Sequence, residues 1–204
     1  MKKLLVFILL ISGSFALQAE SYEEGKHYKK FAQAQPTDSG EKIEVLEFFW
    51  YGCPHCFTFE PFIKSWKKTK PANVTFSRVP AIFRPDWEVQ ARAYYALSSL
   101  GAIEDIHGKI FSAVHNDKKR LNKMDSIADF VALNGVDRDA FIKEYNSFAV
   151  DTLVRKAKKN QALFKIQGVP SVIVNGKYLT SGSMSGNYDN LVKIMDHLIE
   201  IESK

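Results

Sequence analysis

The chain has 204 residues, 46% of them hydrophobic and 25% charged, with a formal net charge of +5. That balance excludes a disordered chain, and the length is enough to bury a substantial core in one domain, with or without an insertion. The positive excess is too small to argue for nucleic acid, and part of it sits at the extreme N-terminus.

Residues 1–19 stand apart from the rest. Lys2 and Lys3 precede an apolar run from Leu4 to Ile11, and small and neutral residues follow up to Ala19. This is the pattern of a secretory signal peptide, and the run is too short to cross a bilayer as a helix. Cleavage is expected after Ala19, with Ala16 as the second choice. No cysteine precedes Cys53, so there is no lipoprotein-type acceptor near the signal. Loss of Lys2 and Lys3 reduces the 28 basic residues to a net charge of +3 against 23 acidic ones. The mature protein is expected to be exported, and nothing later in the chain resembles a membrane anchor.

Residues 41–50, EKIEVLEFFW, are β-branched and aromatic, and too continuously apolar for an exposed strand; they read as a strand buried on both faces. A helix is expected to open at Pro54, a residue suited to a first helical position, and to run through Phe57, Phe62 and Trp66 to about Lys70. Val74 to Val79 reads as a second strand, which completes a βαβ unit. Helical spacing then dominates from Asp86 to about Phe164, with helices expected near 89–100, 104–115, 125–133, 138–147 and 150–164. Strand character returns at Ser171 to Val174. The turn signal Asn175-Gly176 and Lys177 to Thr180 complete a hairpin, and a helix over 187–202 closes the chain. The lysines at 64, 67, 68 and 70, and the cluster Arg155, Lys156, Lys158 and Lys159, read as solvated helix surface. The expected fold is an α/β unit interrupted by an α-helical insertion. The parts are a signal at 1–19, a first part at 20–85, the insertion at 86–149 and a second part at 150–204.

The only two cysteines, Cys53 and Cys56, are in GCPHCFT at residues 52–58. Structural zinc needs about four ligands, and the histidines at 27, 55, 107, 115 and 197 offer no H-x₃₋₅-H partner, so the metal reading is weak. A structural staple is also poor, because closing so short a loop removes little chain entropy. C-x-x-C opening a helix after a buried strand, in an exported chain, fits a redox pair better. The helix N-terminus favours a thiolate at Cys53, and His55 between the cysteines supplies a hydrogen bond or positive charge. A stabilised thiolate makes the corresponding disulfide a stronger oxidant.

The segments FFWYGCPHCFTFE and GVPSVIVNGKY, with the helical block between them, resemble the DsbA family of periplasmic thiol–disulfide oxidases. The resemblance covers essentially the whole mature chain and implies a thioredoxin-like α/β fold interrupted by the helical insertion. It implies that Cys53 is the exposed nucleophile and Cys56 the resolving thiol, together forming the redox disulfide Cys53–Cys56. It implies further that His55 tunes the potential and contacts substrate, that Pro170 is a cis-proline beside the disulfide, and that Val169 offers its backbone to an extended peptide. Glu47, a carboxylate inside the strand, would assist proton transfer to the buried cysteine, with Arg78 as its basic partner. No organic cofactor or metal is implied. The partners would be reduced, unfolded exported proteins and a quinone-linked membrane oxidase of the DsbB type, with the chain itself a monomer. Two rivals stand beside the oxidase reading. One is a disulfide isomerase or reductase. The other is a non-catalytic peptide-binding or chaperone module on the same fold.

Overall fold

The computed structural model describes residues 21–204, so the expected signal segment at 1–19 lies outside the described residues. The chain opens with a two-residue strand, β1 (Lys29–Lys30), and reaches β2 (Ile43–Phe49), all seven of whose residues are buried. There follow α1 (Pro54–Thr69), β3 (Val74–Pro80), a 3₁₀ turn at Pro85–Trp87, and five helices. These are α2 (Glu88–Ser99), α3 (Ile103–His115), α4 (Met124–Ala132), α5 (Arg138–Tyr145) and α6 (Phe148–Leu163). The hairpin β4 (Ser171–Val174) and β5 (Tyr178–Ser181), a short helix α7 (Gly182–Ser185) and α8 (Tyr188–Glu202) end the chain.

The five strands lie in the order β1-β5-β4-β2-β3. Only β2 and β3 are parallel, as the βαβ unit requires; β4 and β5 run antiparallel to their neighbours. Asn175 and Gly176 both have positive φ, 50° and 63°, the signature of a type I′ hairpin turn whose twist suits the flanking strands.

Strand alternation sorts β2 onto two faces. Val45 packs with Phe59, Ile63 and Trp66 of α1 and with Leu191, Ile194 and Leu198 of α8. Leu46 and Phe48 point to the opposite face, against Ala157 of α6 and the segment carrying Phe164 and Ile166. At the end of the strand Phe49 joins a separate core built by α2–α5, with Leu97, Ile110, Phe111 and Ile127. The strand terminus and the start of α1 therefore meet where sheet and helical cap join. Trp66 pins α1 to α8 through its indole N–H, which donates to Asp196 Oδ1 at 2.7 Å.

The turn at Pro85–Trp87, α7 and β1 carry no strong periodic signal and are additions to the sequence reading. They are two to four residues long, about one period of strand or helix, too short for a pattern to repeat.

Candidate active site

The end of β2 and the start of α1 are joined by Trp50, Tyr51 and Gly52, and Cys53 is the N-cap of α1, in extended conformation (φ −86°, ψ 115°). Its backbone N–H donates to the Trp50 carbonyl at 3.0 Å, and its sulfur accepts from the Cys56 N–H at 3.4 Å. A sulfur thus occupies the place of a capping oxygen, pointing at the positive end of the helix dipole. Gly52 is required by close approach: a Cβ there would stand 2.3 Å from the Trp50 ring. That ring cannot yield easily, because it stacks on Trp87 at 3.8 Å between centroids and 5° between planes.

The two cysteines, both free thiols in this structure, have opposite electrostatics. The hydrogen bond from the Cys56 thiol contributes most to lowering Cys53; burial opposes it, and the backbone N–H groups of Cys56 and His55 and the His55 charge add to it, for a net value of about 6. Cys56 is fully buried, and desolvation pushes its thiol well above the ordinary range, helped by the neighbouring sulfur and by the charge of Glu47. One thiol is ready to be a thiolate and the other to hold a proton.

Cys53 is less open than the exposed nucleophile the resemblance implies: 7% of its surface is accessible, against 0% for Cys56. The cover comes from the loop before β4, where Val169–Pro170 is a cis peptide and the Val169 carbonyl oxygen lies 3.5 Å from Cys53 Sγ. His55 is exposed on the first turn of α1, its Nδ1 3.2 Å from the Tyr188 hydroxyl at the start of α8. Beside these groups opens a cavity of about 880 Å³, running from His55, Val169 and Pro170 past the α7–α8 loop to β1.

Beneath the cysteines is a buried charged network. Glu47, 1% exposed, faces Arg78 across the parallel β2–β3 register, and Arg78 Nε donates to Glu47 Oε2 at 2.9 Å. Arg78 also holds Glu60 of α1 at 2.8 and 3.0 Å. Desolvation outweighs the shared guanidinium at Glu47 and raises it to about 7. Burial also pushes Glu60 upward, but contacts with His107, Arg78 and Lys67 outweigh it and hold this carboxyl below its usual range. His107 Nε2 lies 3.3 Å from Glu60 Oε2, while Nδ1 is 2.8 Å from the Tyr51 hydroxyl. Burial lowers His107 to about 4, so the ring is neutral at pH 7. In the neutral tautomer that fits, Tyr51 donates to Nδ1, while Nε2–H faces Glu60 within ion-pair distance but without hydrogen-bond alignment. Among the described residues no group of three or more His, Cys, Asp or Glu side chains is placed to hold a metal ion.

The structure thus brings Cys53, Cys56, His55, Val169 and Pro170 together at one end of the sheet, with Glu47 below them. Glu60, Tyr51, His107 and Tyr188 are additions that the sequence reading did not single out. Glu60 had a usable signal, since it follows Cys56 by four residues and shares its helix face. His107 and Tyr188 had none, being 47 and 132 residues downstream of Glu60 and Cys56 respectively.

A family model described as the DSBA-like thioredoxin domain matches residues 63–195. The chain belongs to that family. It is 40% identical over 205 residues to the thiol:disulfide interchange protein DsbA of Pseudomonas aeruginosa, covering 99% of this chain and 97% of that protein. The DsbA of Azotobacter vinelandii is likewise 40% identical, over 210 residues. The crystal structure of Pseudomonas aeruginosa DsbA superposes with a TM-score of 0.86 at 41% identity, covering 89% of this chain and 95% of that one. The oxidoreductase DsbA from Xylella fastidiosa gives 0.83 at 30% identity. The α/β unit with helical insertion expected from the residues, and the family and thioredoxin-like fold implied by the resemblance, are those found.

Proposed function

We propose that this DsbA-family thiol:disulfide oxidoreductase donates the Cys53–Cys56 disulfide to reduced proteins in the periplasm. The observation that carries the direction is the split between the thiols, with Cys53 near 6 at a helix N-terminus and Cys56 buried and held protonated. A client thiolate attacks Cys53 Sγ, the Cys53–Cys56 bond breaks, and Cys56 leaves with the electron pair and takes up a proton. A second client thiolate attacks the client sulfur of the mixed disulfide and expels Cys53 as a thiolate. The client has lost two electrons and the pair has gained them. A leaving group of low pKa departs fast, which favours release over retention.

Glu47, poised near neutrality beneath Cys56, supplies and removes the buried proton; Arg78 holds it in place. Val169 presents backbone to an extended client segment in strand-like fashion, with Pro170 and His55 at the same end of the cavity. Reoxidation is assigned to a quinone-linked membrane partner of the DsbB type, and the chain acts as a monomer. No helix of the described residues is long and apolar enough to cross a membrane. The division into 20–85, 86–149 and 150–204 is supported by the sheet strands, all of which fall in the outer two segments.

The test is to incubate the oxidised protein with a reduced, unfolded client and count free thiols. Transfer of one disulfide per protein is expected, with an equilibrium potential well above that of a reductase. No transfer, or a potential in the reductase range, overturns the reading in favour of the reductase. Client protection that survives Cys53→Ala favours the chaperone.

A further inference from the structure

The cavity beside Cys53 has a charge asymmetry that disulfide exchange by itself does not require. Four of its lining residues are lysines, Lys26, Lys29, Lys30 and Lys165, and none is aspartate or glutamate. All four are exposed. Lys26 makes an exposed pair with Glu23 at 3.7 Å, whereas among the described residues no ion pair is formed by Lys29, Lys30 or Lys165. The cavity floor is apolar where Phe31 and Leu179 line it. A cleft with charge of one sign along its rim concentrates ligands of the opposite sign.

The backbone around Lys165 makes that position distinctive. Helix α6 ends in a Schellman motif: Ile166 N–H donates to Gln161 O at 3.0 Å and Lys165 N–H to Ala162 O at 3.1 Å. The motif's left-handed residue is normally glycine, yet lysine stands there with φ 50°. The chain accepts a strained conformation and gains a cation on the cavity rim.

Resting on the oxidase reading above, we propose that this cavity selects acidic client segments, with carboxylates a few residues from the reacting cysteine. The spacing follows from the sheet. β1 is two strands from β4, roughly 10 Å across the sheet, and the register Lys29–Leu179–Ile173 and Lys30–Tyr178–Val174 sets the lysines about 10–13 Å further along than Pro170. An extended peptide advances about 3.3 Å per residue, so a carboxylate some four to five residues from the cysteine at Cys53 covers the resulting diagonal of about 15 Å and reaches the lysines.

The experiment uses the oxidised full-length mature protein and synthetic single-cysteine peptides of equal length and apolar content. One peptide carries glutamates four to five residues on either side of its cysteine, and its twin carries glutamines. Rates of mixed-disulfide formation are measured at low and high salt, for the wild type and for a variant combining Lys29→Gln, Lys30→Gln and Lys165→Gly. The variant shares any intrinsic difference between the peptide thiols, so the acidic-to-neutral rate ratio is what is read. A ratio about tenfold higher in the wild type, collapsing at high salt, is expected. Equal ratios in the two proteins overturn the selectivity while leaving the oxidase reading intact. Failure of both peptides to react overturns both.

Discussion

The sharpest consequence of the site is a pH-dependent stability of the reduced protein that belongs to Cys53 alone. Its thiol falls from an ordinary 9.0 to about 6 in the fold. A depressed acid stabilises the fold above its unfolded pKa, and that stability disappears as pH drops through the folded value. Three pH units correspond to about 4 kcal/mol, fully present above pH ~9. At pH 7, one unit above the folded value, about 1.4 kcal/mol remains, and near pH 5 almost none does. Because the disulfide form lacks this term, the same 1.4 kcal/mol raises the oxidising power by about 30 mV at pH 7. The assay is urea unfolding of the reduced protein from pH 5 to 9, beside reduced Cys53→Ser. Other groups titrate in both proteins, so the difference between the two curves isolates Cys53. It should grow by about 1.4 kcal/mol from pH 5 to 7 and by a further 2–3 kcal/mol from pH 7 to 9. Parallel curves, or a thiolate absorbance midpoint at 8 or higher, would refute the reasoning.

Three further outcomes are expected. The Cys56 thiol is the largest influence lowering Cys53 and the His55 charge the smallest, so Cys56→Ala should raise the thiolate midpoint more than His55→Ser; absorbance titration of both variants checks the order. Glu47 is raised to about 7, so its ionisation in the fold costs stability that grows as pH rises from its ordinary 4.5 towards 7. Glu47→Gln should therefore stabilise the protein by ~1–3 kcal/mol at pH 8 and by little at pH 5, with Arg78 still held by Glu60; denaturation at the two pH values reads it directly. Lys165→Gly should relieve the left-handed residue and raise stability by about 0.5–1 kcal/mol, the strain released being partly offset by a freer unfolded chain. A loss of stability in thermal unfolding would place the favourable energy of Lys165 in contacts that its backbone does not suggest.

Much of this was legible because its causes are local. The helix expected from Pro54 to about Lys70 is found at Pro54–Thr69, since N1 proline, apolar periodicity and a following proline all act within a few residues. The Asn175-Gly176 hairpin is likewise local chemistry. Glu47 shows where such reading reaches its limit. As a buried carboxylate in VLEFFW it could have been an edge residue or half of a pair, and only the parallel register of β2 on β3 sets Arg78 opposite it. Glu60 and His107 are joined to that pair by the packing of α1 and α3, which no spacing in the chain encodes. The cover over Cys53 has the same origin: Val169 is 116 residues away and arrives through the sheet.

That long-range assembly is also what makes the two thiols different. On an isolated helix both sulfurs would lie in the first turn and feel nearly the same dipole, which would stabilise a thiolate only modestly and on either of them. The fold separates them by burial. Cys53 caps the helix beside an open cavity, whereas Cys56, three residues on, turns into a core floored by Glu47 and walled by aromatic rings from β2 and α3. Desolvation acts against a thiolate at Cys56 far more than at Cys53, so the proton of the pair resides on the inner sulfur and the negative charge on the outer one. The inner proton then hydrogen-bonds to the outer thiolate and stabilises it further. The asymmetry is self-reinforcing, and it exists only in the dithiol. A disulfide has no charge to place at the helix terminus and no proton to share, so the energy stored in that arrangement is gained only when the pair is reduced, which is why the oxidised form tends to give its disulfide away.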